Sequence, residues 1–371
     1  MSINQATPEV VVASDDWPTS SPEDQGMDSR VLATLESYIP KTYPAMYSMV
    51  IIRNGFLVAE KYFHDSVSTK RNIFSCTKSF IGTLIGIAIH EGFITSINES
   101  VFAFFPNYTF NNFNPSKQSI TLFHLLTMTS GLEWDEDNYD DSENPLYLMW
   151  ASSNWVQFVL DRPMVAEPGT TFNYNTGTSH VMSAILNVTT GMSTLEYAKS
   201  RLLTPLGIED YYWPIDPQGI YKGGEGLMLT PRALAKLGQL YLNNGSWNDE
   251  QLVPEQWIFD ATHSTLTPPS NGYYGYGYQW WLQPNGIFSA WGYAHQRVIV
   301  IPEYQVVATF TSDMPTISGD PATLLVNKYV LPAIFTHEDY KEPTSSSTPF
   351  FTFALPSLLL IVLLQKKFKR S

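Results

Sequence analysis

The sequence predicts a two-lobed α/β (α+β) fold: an antiparallel sheet built from both chain ends and flanked by helices, with a helical lobe inserted between its halves. Three observations carry that expectation. Two β-rich runs, Met49 to Arg53 and Phe56 to Phe63, lie near the start and are joined by the tight-turn dipeptide Asn54-Gly55. From about residue 92 to about 260, apolar residues recur mostly at helical spacing. After Tyr274 short β-rich runs return, at Tyr276 to Leu282, Ile287 to Tyr293, Gln296 to Ile301 and Gln305 to Thr311. Their connections, Gln283-Pro284-Asn285-Gly286 and Pro302-Glu303-Tyr304, are short and turn-like, as consecutive antiparallel strands require.

Taken in order, residues 1–20 are polar and proline-containing and read as a flexible extension. They hold no basic start followed by a long apolar stretch, so no secretory signal peptide is expected. A helix over Met27 to Tyr38 precedes the hairpin, and a largely apolar helix follows Ser75. Further helices are expected over Thr121 to Thr129, Tyr147 to Leu160, Ser179 to Val188, Thr194 to Leu203 and Pro231 to Asn243, the last entered by Thr230-Pro231. A final helix spans about Pro321 to Phe335. This places one domain at 21–336, with its helical lobe at about 79–260, and a polar linker at 337–349.

Residues 350–371 read as a membrane anchor. Phe350 to Leu364 is a fifteen-residue run without a charge, and Lys366, Lys367, Lys369 and Arg370 follow it. At about 1.5 Å per residue the run covers about 22 Å of a ~30 Å hydrocarbon core, with snorkelling lysines extending its reach. A packed or amphipathic terminal helix is the other reading. If the segment spans a membrane, the basic tip stays cytoplasmic and the catalytic body lies outside; a cytosol-facing, tail-anchored body is the alternative, because no export signal is visible.

The chain has 371 residues, 44% hydrophobic and 15% charged, which suits a globular enzyme-sized body. Its formal charge is −14; removing the four positive charges of the basic tip leaves about −18, which argues against nucleic acid as a partner. The single cysteine, Cys76, excludes an internal disulfide and any multi-cysteine zinc site. No histidine has metal-ligand spacing, and the acidic run Glu133 to Asp141 lacks an EF-hand pattern and reads as a solvated loop at a cleft rim. No metal or cofactor is expected.

The chemistry points to Ser75-Cys76-Thr77-Lys78. A serine hydroxyl attacks a carbonyl only when a base takes its proton, and a lysine one helical turn later projects from the same face to do so. At a helix N-terminus, free backbone N–H groups can also stabilise an oxyanion. The same local pattern reads equally well as a plain N-cap. A second segment, Glu167-Pro168-Gly169-Thr170-Thr171-Phe172-Asn173-Tyr174-Asn175-Thr176-Gly177, presents Tyr174. Beside an ammonium a phenol can ionise and take the serine proton or return one to a leaving group.

Together these segments resemble the serine β-lactamases and penicillin-binding proteins, in the class C-like branch that also holds esterases, D-aminopeptidases and 6-aminohexanoate-oligomer hydrolases. The resemblance covers about residues 17 to 336. It rests on Trp17, Ser21-Pro22-Glu23 and Gly26-Met27, then Phe74 to Ser79, then Ile120 to Leu132, which is similar to the family's H-L-L-T-x-T-S-G-L signature around His124. The Tyr174 segment, Gly223 to Leu227 with Thr230-Pro231-Arg232, and Gly292 to Gln296 complete it in order.

The resemblance implies a β-lactamase/transpeptidase-like fold, Ser75 as nucleophile, Lys78 as its base and Tyr174 as proton-transfer partner. Thr176, His295 and Gln296 fall in the oxyanion and substrate-binding set, with the backbone amides of Ser75 and of a residue at or beside His295 forming the oxyanion hole. Two departures bear on substrate. Thr176 stands where the family usually has Asn, and Gly292-Tyr293-Ala294-His295-Gln296 replaces a Lys-Thr-Gly triplet, removing the cation that anchors a β-lactam carboxylate. The His295 side chain reads either as partial compensation or as a strand residue facing solvent. The expected activity is hydrolysis of small esters or amides through an acyl-enzyme. A D,D-peptidase or β-lactamase, and a catalytically silent surface binding module, are the alternatives.

Overall fold

Met46–Arg53 is apolar at most positions, a pattern suited to a strand covered on both faces. In the computed structural model, which describes residues 17–263 and 275–335, it is an inner strand of a seven-stranded antiparallel sheet. The order is Phe56–Tyr62, Met46–Arg53, Val306–Ser312, Gln296–Ile301, Phe288–Gly292, Trp281–Leu282, Gly275–Tyr276. Strands from the two ends of the chain therefore pair directly, with Val50 opposite Thr309.

The two-residue pleat sorts side chains between two cores. Met49, Ile51, Ile299, Ile301, Ala308 and Phe310 face the helix Ser29–Thr42 and the C-terminal helix at 321–335. Val50, Ile52, Val298, Val300 and Val307 face the larger core beneath Cys76–His90 and Pro231–Leu242. Cys76–His90 is buried from Cys76 through Ala88, so it has no solvent face and is held on all sides. Each fully buried Ile or Leu in such a setting is worth about 1.5–3 kcal/mol, which makes this helix a rigid mount for its first turn.

Three expectations change. Residues 17–20 belong to the fold: Trp17 is buried and donates from its indole to the Arg232 carbonyl, while Leu57 N–H donates to Pro18 O and Ser20 N–H to Leu57 O. These contacts cover the outer edge of Phe56–Tyr62, the strand most open to unwanted pairing. The helix expected over Tyr147 to Leu160 is two helices, Pro145–Ala151 and Trp155–Asp161, because the Asn154 side chain accepts from Gln157 N–H and starts a new one. The strand expected over Tyr276 to Leu282 is a pair of two-residue strands, since Gln279 takes φ +64° and its side chain donates to the Leu125 and Leu126 carbonyls. Among the described residues no helix is long and apolar enough to cross a membrane. The linker at 337–349 and the anchor expected at 350–371 lie outside the described residues.

Candidate active site

Ser75 stands at the N-cap of Cys76–His90, but its backbone is already helical and its side chain makes no capping bond. Its hydroxyl is engaged elsewhere. Lys78 Nζ lies 2.9 Å from Ser75 Oγ, one turn along the helix as the spacing predicts. The same nitrogen donates to Thr176 Oγ1 at 2.9 Å and to the Gly224 carbonyl at 2.7 Å. Lys78 is 1% exposed, and burial pulls its amine down to about 8, against the opposing charges of Glu136 and Glu225.

Tyr174 lies just ahead of Asn175, whose side chain accepts from Thr178 N–H and starts the helix Thr176–Thr190. The His124 signature supports this segment. Its Met128 carbonyl accepts from Asn173 N–H, and the Asn173 side chain donates to the carbonyls of Leu132 and Trp134. His124 itself closes a capping box with Thr121, and burial lowers its pKa.

The Tyr174 ring stacks on Trp281 at 5.7 Å, meets Tyr276 edge-on at 6.3 Å and lies 4.9 Å from Lys78 Nζ. The Ser75 side chain nearby pulls the Tyr174 pKa down a little, but less than burial lifts it. Burial raises this phenol well above its ordinary range, with Tyr276 and Glu136 adding to the rise. Of the two roles expected of Tyr174, returning a proton suits a raised phenol better than taking one as a phenolate. Of the two groups Lys78 has its pKa nearer neutrality, and burial favours the phenol form of Tyr174.

Backbone strain gathers beside the nucleophile. Phe74 takes φ +45°, with Asn72 Oδ1 accepting its N–H, and Ala294 and His295 take φ +56° and +67°. The Phe74 and Tyr293 rings meet edge-on at 5.4 Å, so the two strained turns touch. The small ladder Arg71–Asn72 with Met228–Leu229, extended by Ile73 N–H to Leu227 O, fixes the approach to Ser75. Gly224 also has to be glycine: a Cβ would fall 2.5 Å from the Thr176 carbonyl oxygen, and this close approach accompanies the Gly224 carbonyl's contact with Lys78.

Ser75, Lys78, Tyr174 and Thr176 thus converge. The side chains of His295 and Gln296 turn into the protein, with His295 Nδ1 buried and without a hydrogen-bond partner. His295 is 7% exposed and its Nε2 bonds the Ile317 carbonyl, so it is not a strand residue facing solvent. Gln296 donates to the Ser312 carbonyl and accepts from Ser312 N–H, tying two strands together. Cys76 is fully buried with its thiol pushed up to about 12, which makes it a packing residue.

The acidic run holds the main surprise. Asp135 and Asp137 are exposed, but Glu136 between them is 3% exposed. Its Oε1 accepts from Thr176 Oγ1 at 2.6 Å, and its Oε2 accepts from Thr176 N–H at 2.9 Å and from Trp134 Nε1 at 2.5 Å. The expectation of a wholly solvated run is corrected at this residue, because three donors stabilise its carboxylate inside the protein. The faint sequence signal was Trp134-Asp135-Glu136, where an inward Trp at one position puts the residue two along on the same side.

Comparison with known proteins agrees with this geometry. The β-lactamase family model matches residues 43–324, and the chain belongs to that family of serine hydrolases. It is 24% identical over 311 residues to an uncharacterised protein of Alkalihalophilus pseudofirmus, covering 70% of this chain and 82% of the relative. Its fold is similar to that of a putative 6-aminohexanoate-dimer hydrolase from Bacillus anthracis, with TM-score 0.72 and 24% identity, over 86% of this chain and 87% of that one. It is also similar to a family VIII carboxylesterase, with TM-score 0.66 and 15% identity, over 85% of this chain and 99% of that one.

Proposed function

We propose that this protein hydrolyses small carboxylic esters or amides through an acyl-enzyme on Ser75. The observation that carries the proposal is the buried Lys78 amine, poised at about 8 and 2.9 Å from Ser75 Oγ. As Ser75 Oγ bonds to the substrate carbonyl carbon, its proton passes to neutral Lys78 and the carbonyl electrons collect on oxygen. The amides of Ser75 and of a residue at or beside His295 stabilise that oxyanion. The bond to the leaving group then breaks, and the proton returns from Lys78 by way of the Tyr174 hydroxyl to the departing alkoxide or amine. Water attacks the ester so formed, giving up a proton to the same pair, and Ser75 leaves reprotonated. The sum is substrate plus water giving acid plus alcohol or amine.

The absent Lys-Thr-Gly cation weighs against carboxylate-bearing β-lactams and cell-wall peptides, and the buried Glu136 adds negative charge near the site. The neighbours named as a carboxylesterase and a putative 6-aminohexanoate-dimer hydrolase support uncharged esters or amides as the class. A panel of p-nitrophenyl acetate and butyrate, nitrocefin and D-aminoacyl anilides tests this. The expected result is ester turnover far above nitrocefin turnover and lost in Ser75→Ala; ester turnover that survives Ser75→Ala overturns it. The uncharged run Phe350 to Leu364 with its basic tip supports attachment of the body to a membrane through 350–371.

A further inference from the structure

A neutral lysine amine has two hydrogens and one lone pair, and Lys78 has three oxygen neighbours for them: Ser75 Oγ, Thr176 Oγ1 and the Gly224 carbonyl. The carbonyl can only accept, so it takes one hydrogen. Thr176 could take part in either sense, and its choice decides what is left for Ser75. If Thr176 accepts, the second hydrogen goes there and the lone pair faces Ser75. If Thr176 donates, it occupies the lone pair and the base is blocked.

We propose that Glu136 is a positioning residue that fixes this choice: by holding the Thr176 hydroxyl proton, it makes Thr176 an acceptor and leaves the Lys78 lone pair to Ser75. The 2.6 Å separation of Thr176 Oγ1 from Glu136 Oε1 is that of a hydroxyl donating to a carboxylate. Trp134 Nε1 and Thr176 N–H both donate to Oε2, so the carboxylate is fixed in orientation and its Oε1 is the oxygen free to take the hydroxyl proton. The relay is Lys78 to Thr176 to Glu136, every bond donating away from the lysine. Thr176 in the place of a family Asn and a buried glutamate in an otherwise exposed acidic loop become one feature.

The charged and titratable groups around Lys78 are few. Glu136 acts across Thr176, Glu225 is paired with Lys222 at 2.8 Å, Cys76 lies on the same helix, and the Tyr174 ring closes one side. Both Glu136 and Glu225 favour the ammonium. Loss of the Glu136 charge therefore lowers the pH at which Lys78 becomes neutral, while loss of its acceptor lets Thr176 turn its hydrogen toward the lysine. Glu136→Gln does both. In that variant the amide oxygen is drawn to the two donors now held by Oε2, which places the NH₂ group against Thr176 Oγ1 and reverses the relay.

This inference rests on the acyl-enzyme reading of Ser75, and the test separates the two. The full chain and its Glu136→Gln, Thr176→Val, Thr176→Ser and Glu136→Gln/Thr176→Val variants are assayed with p-nitrophenyl acetate, with thermal melting to register folding. Glu136→Gln is expected to lose about 100-fold in kcat with KM within about 3-fold, and Thr176→Ser to stay within about 5-fold of wild type. Thr176→Val, which has no hydroxyl to turn toward the lysine, is expected to lose less than Glu136→Gln, and the double variant to match Thr176→Val, because Glu136 acts through the Thr176 hydroxyl. In parallel the Lys78 Cε resonance, assigned by its loss in Lys78→Met, is titrated in wild type, the double variant and Glu136→Gln, where the midpoint should fall by about half a pH unit or more. A folded Glu136→Gln within about 3-fold of wild-type kcat, or losses that simply multiply in the double variant, overturns the relay. If wild type takes no acyl group the hydrolase reading fails on its own, and the titration then decides: a midpoint lower in Glu136→Gln than in the double variant, which lacks the same charge but has no Thr176 hydroxyl to donate to Lys78, supports the relay, and equal midpoints overturn it.

Discussion

Gly292 and Ile73 meet backbone to backbone: a Cβ on Gly292 would fall 2.3 Å from the Ile73 carbonyl oxygen. This contact joins the strand Phe288–Gly292, which leads into the strained Ala294–His295 turn, to the residue two before the nucleophile. Gly292→Ala must push the two apart. We expect a loss of about 1–3 kcal/mol in urea unfolding, as for other overpacked sites, with a fall in kcat/KM of about tenfold or more. Unchanged kcat/KM in a folded variant would separate this strand from the chemistry.

The acid limb of activity should report Lys78. The neutral amine is the base, and its share grows as pH rises, so kcat/KM should climb through about pH 8 and be largely lost by acid pH. Burial is the first cause of the low value, so a cation that cannot deprotonate gives no substitute. Lys78→Arg should lose about 10²–10⁴-fold at every pH. A profile already flat from pH 6 to 9 would assign the base elsewhere.

Tyr174 should matter according to the leaving group. Its phenol is raised well above the ordinary range and so acts as a proton carrier rather than an anion. Tyr174→Phe is therefore expected to cost little in kcat/KM, which reports acylation, with p-nitrophenyl esters, whose leaving group departs unprotonated, and about 100-fold or more with alkyl esters or anilides. Equal losses on all substrates would point to packing against Trp281 and Tyr276 instead.

Removing residues 350–371 should move the protein from the membrane to the soluble fraction while leaving esterase activity in the remaining body. The measurement is partitioning after high-speed sedimentation. Unchanged partitioning would refute attachment through that segment.

What the sequence disclosed follows the range of the interactions involved. The Ser75–Lys78 pair is local, set by one helical turn, and it is found where the spacing puts it. The centre of the sheet was legible because its strands from both chain ends, Met46–Arg53, Phe56–Tyr62, Gln296–Ile301 and Val306–Ser312, are six to eight residues long and rich in apolar residues. Tyr174 could be named from its motif, but its protonation could not, since Trp281, Tyr276 and Glu136 all reach it from distant parts of the chain. Glu136 is only faintly marked in the sequence, by the Trp134 two residues before it, because its inward direction is decided by its partners Thr176 and Trp134. Gln296 and His295 were read as site residues from their strand, but side-chain direction there depends on the positive-φ turn at Ala294 and His295, which no periodicity reveals.

The most direct measurement is covalent labelling by a fluorophosphonate, read as intact mass and mapped by peptide digestion. A single adduct on Ser75, absent from Ser75→Ala and formed far more slowly by Lys78→Arg, is the expected result. No adduct on folded wild type, or an adduct that persists in Ser75→Ala, would contradict the assignment of Ser75 as the nucleophile.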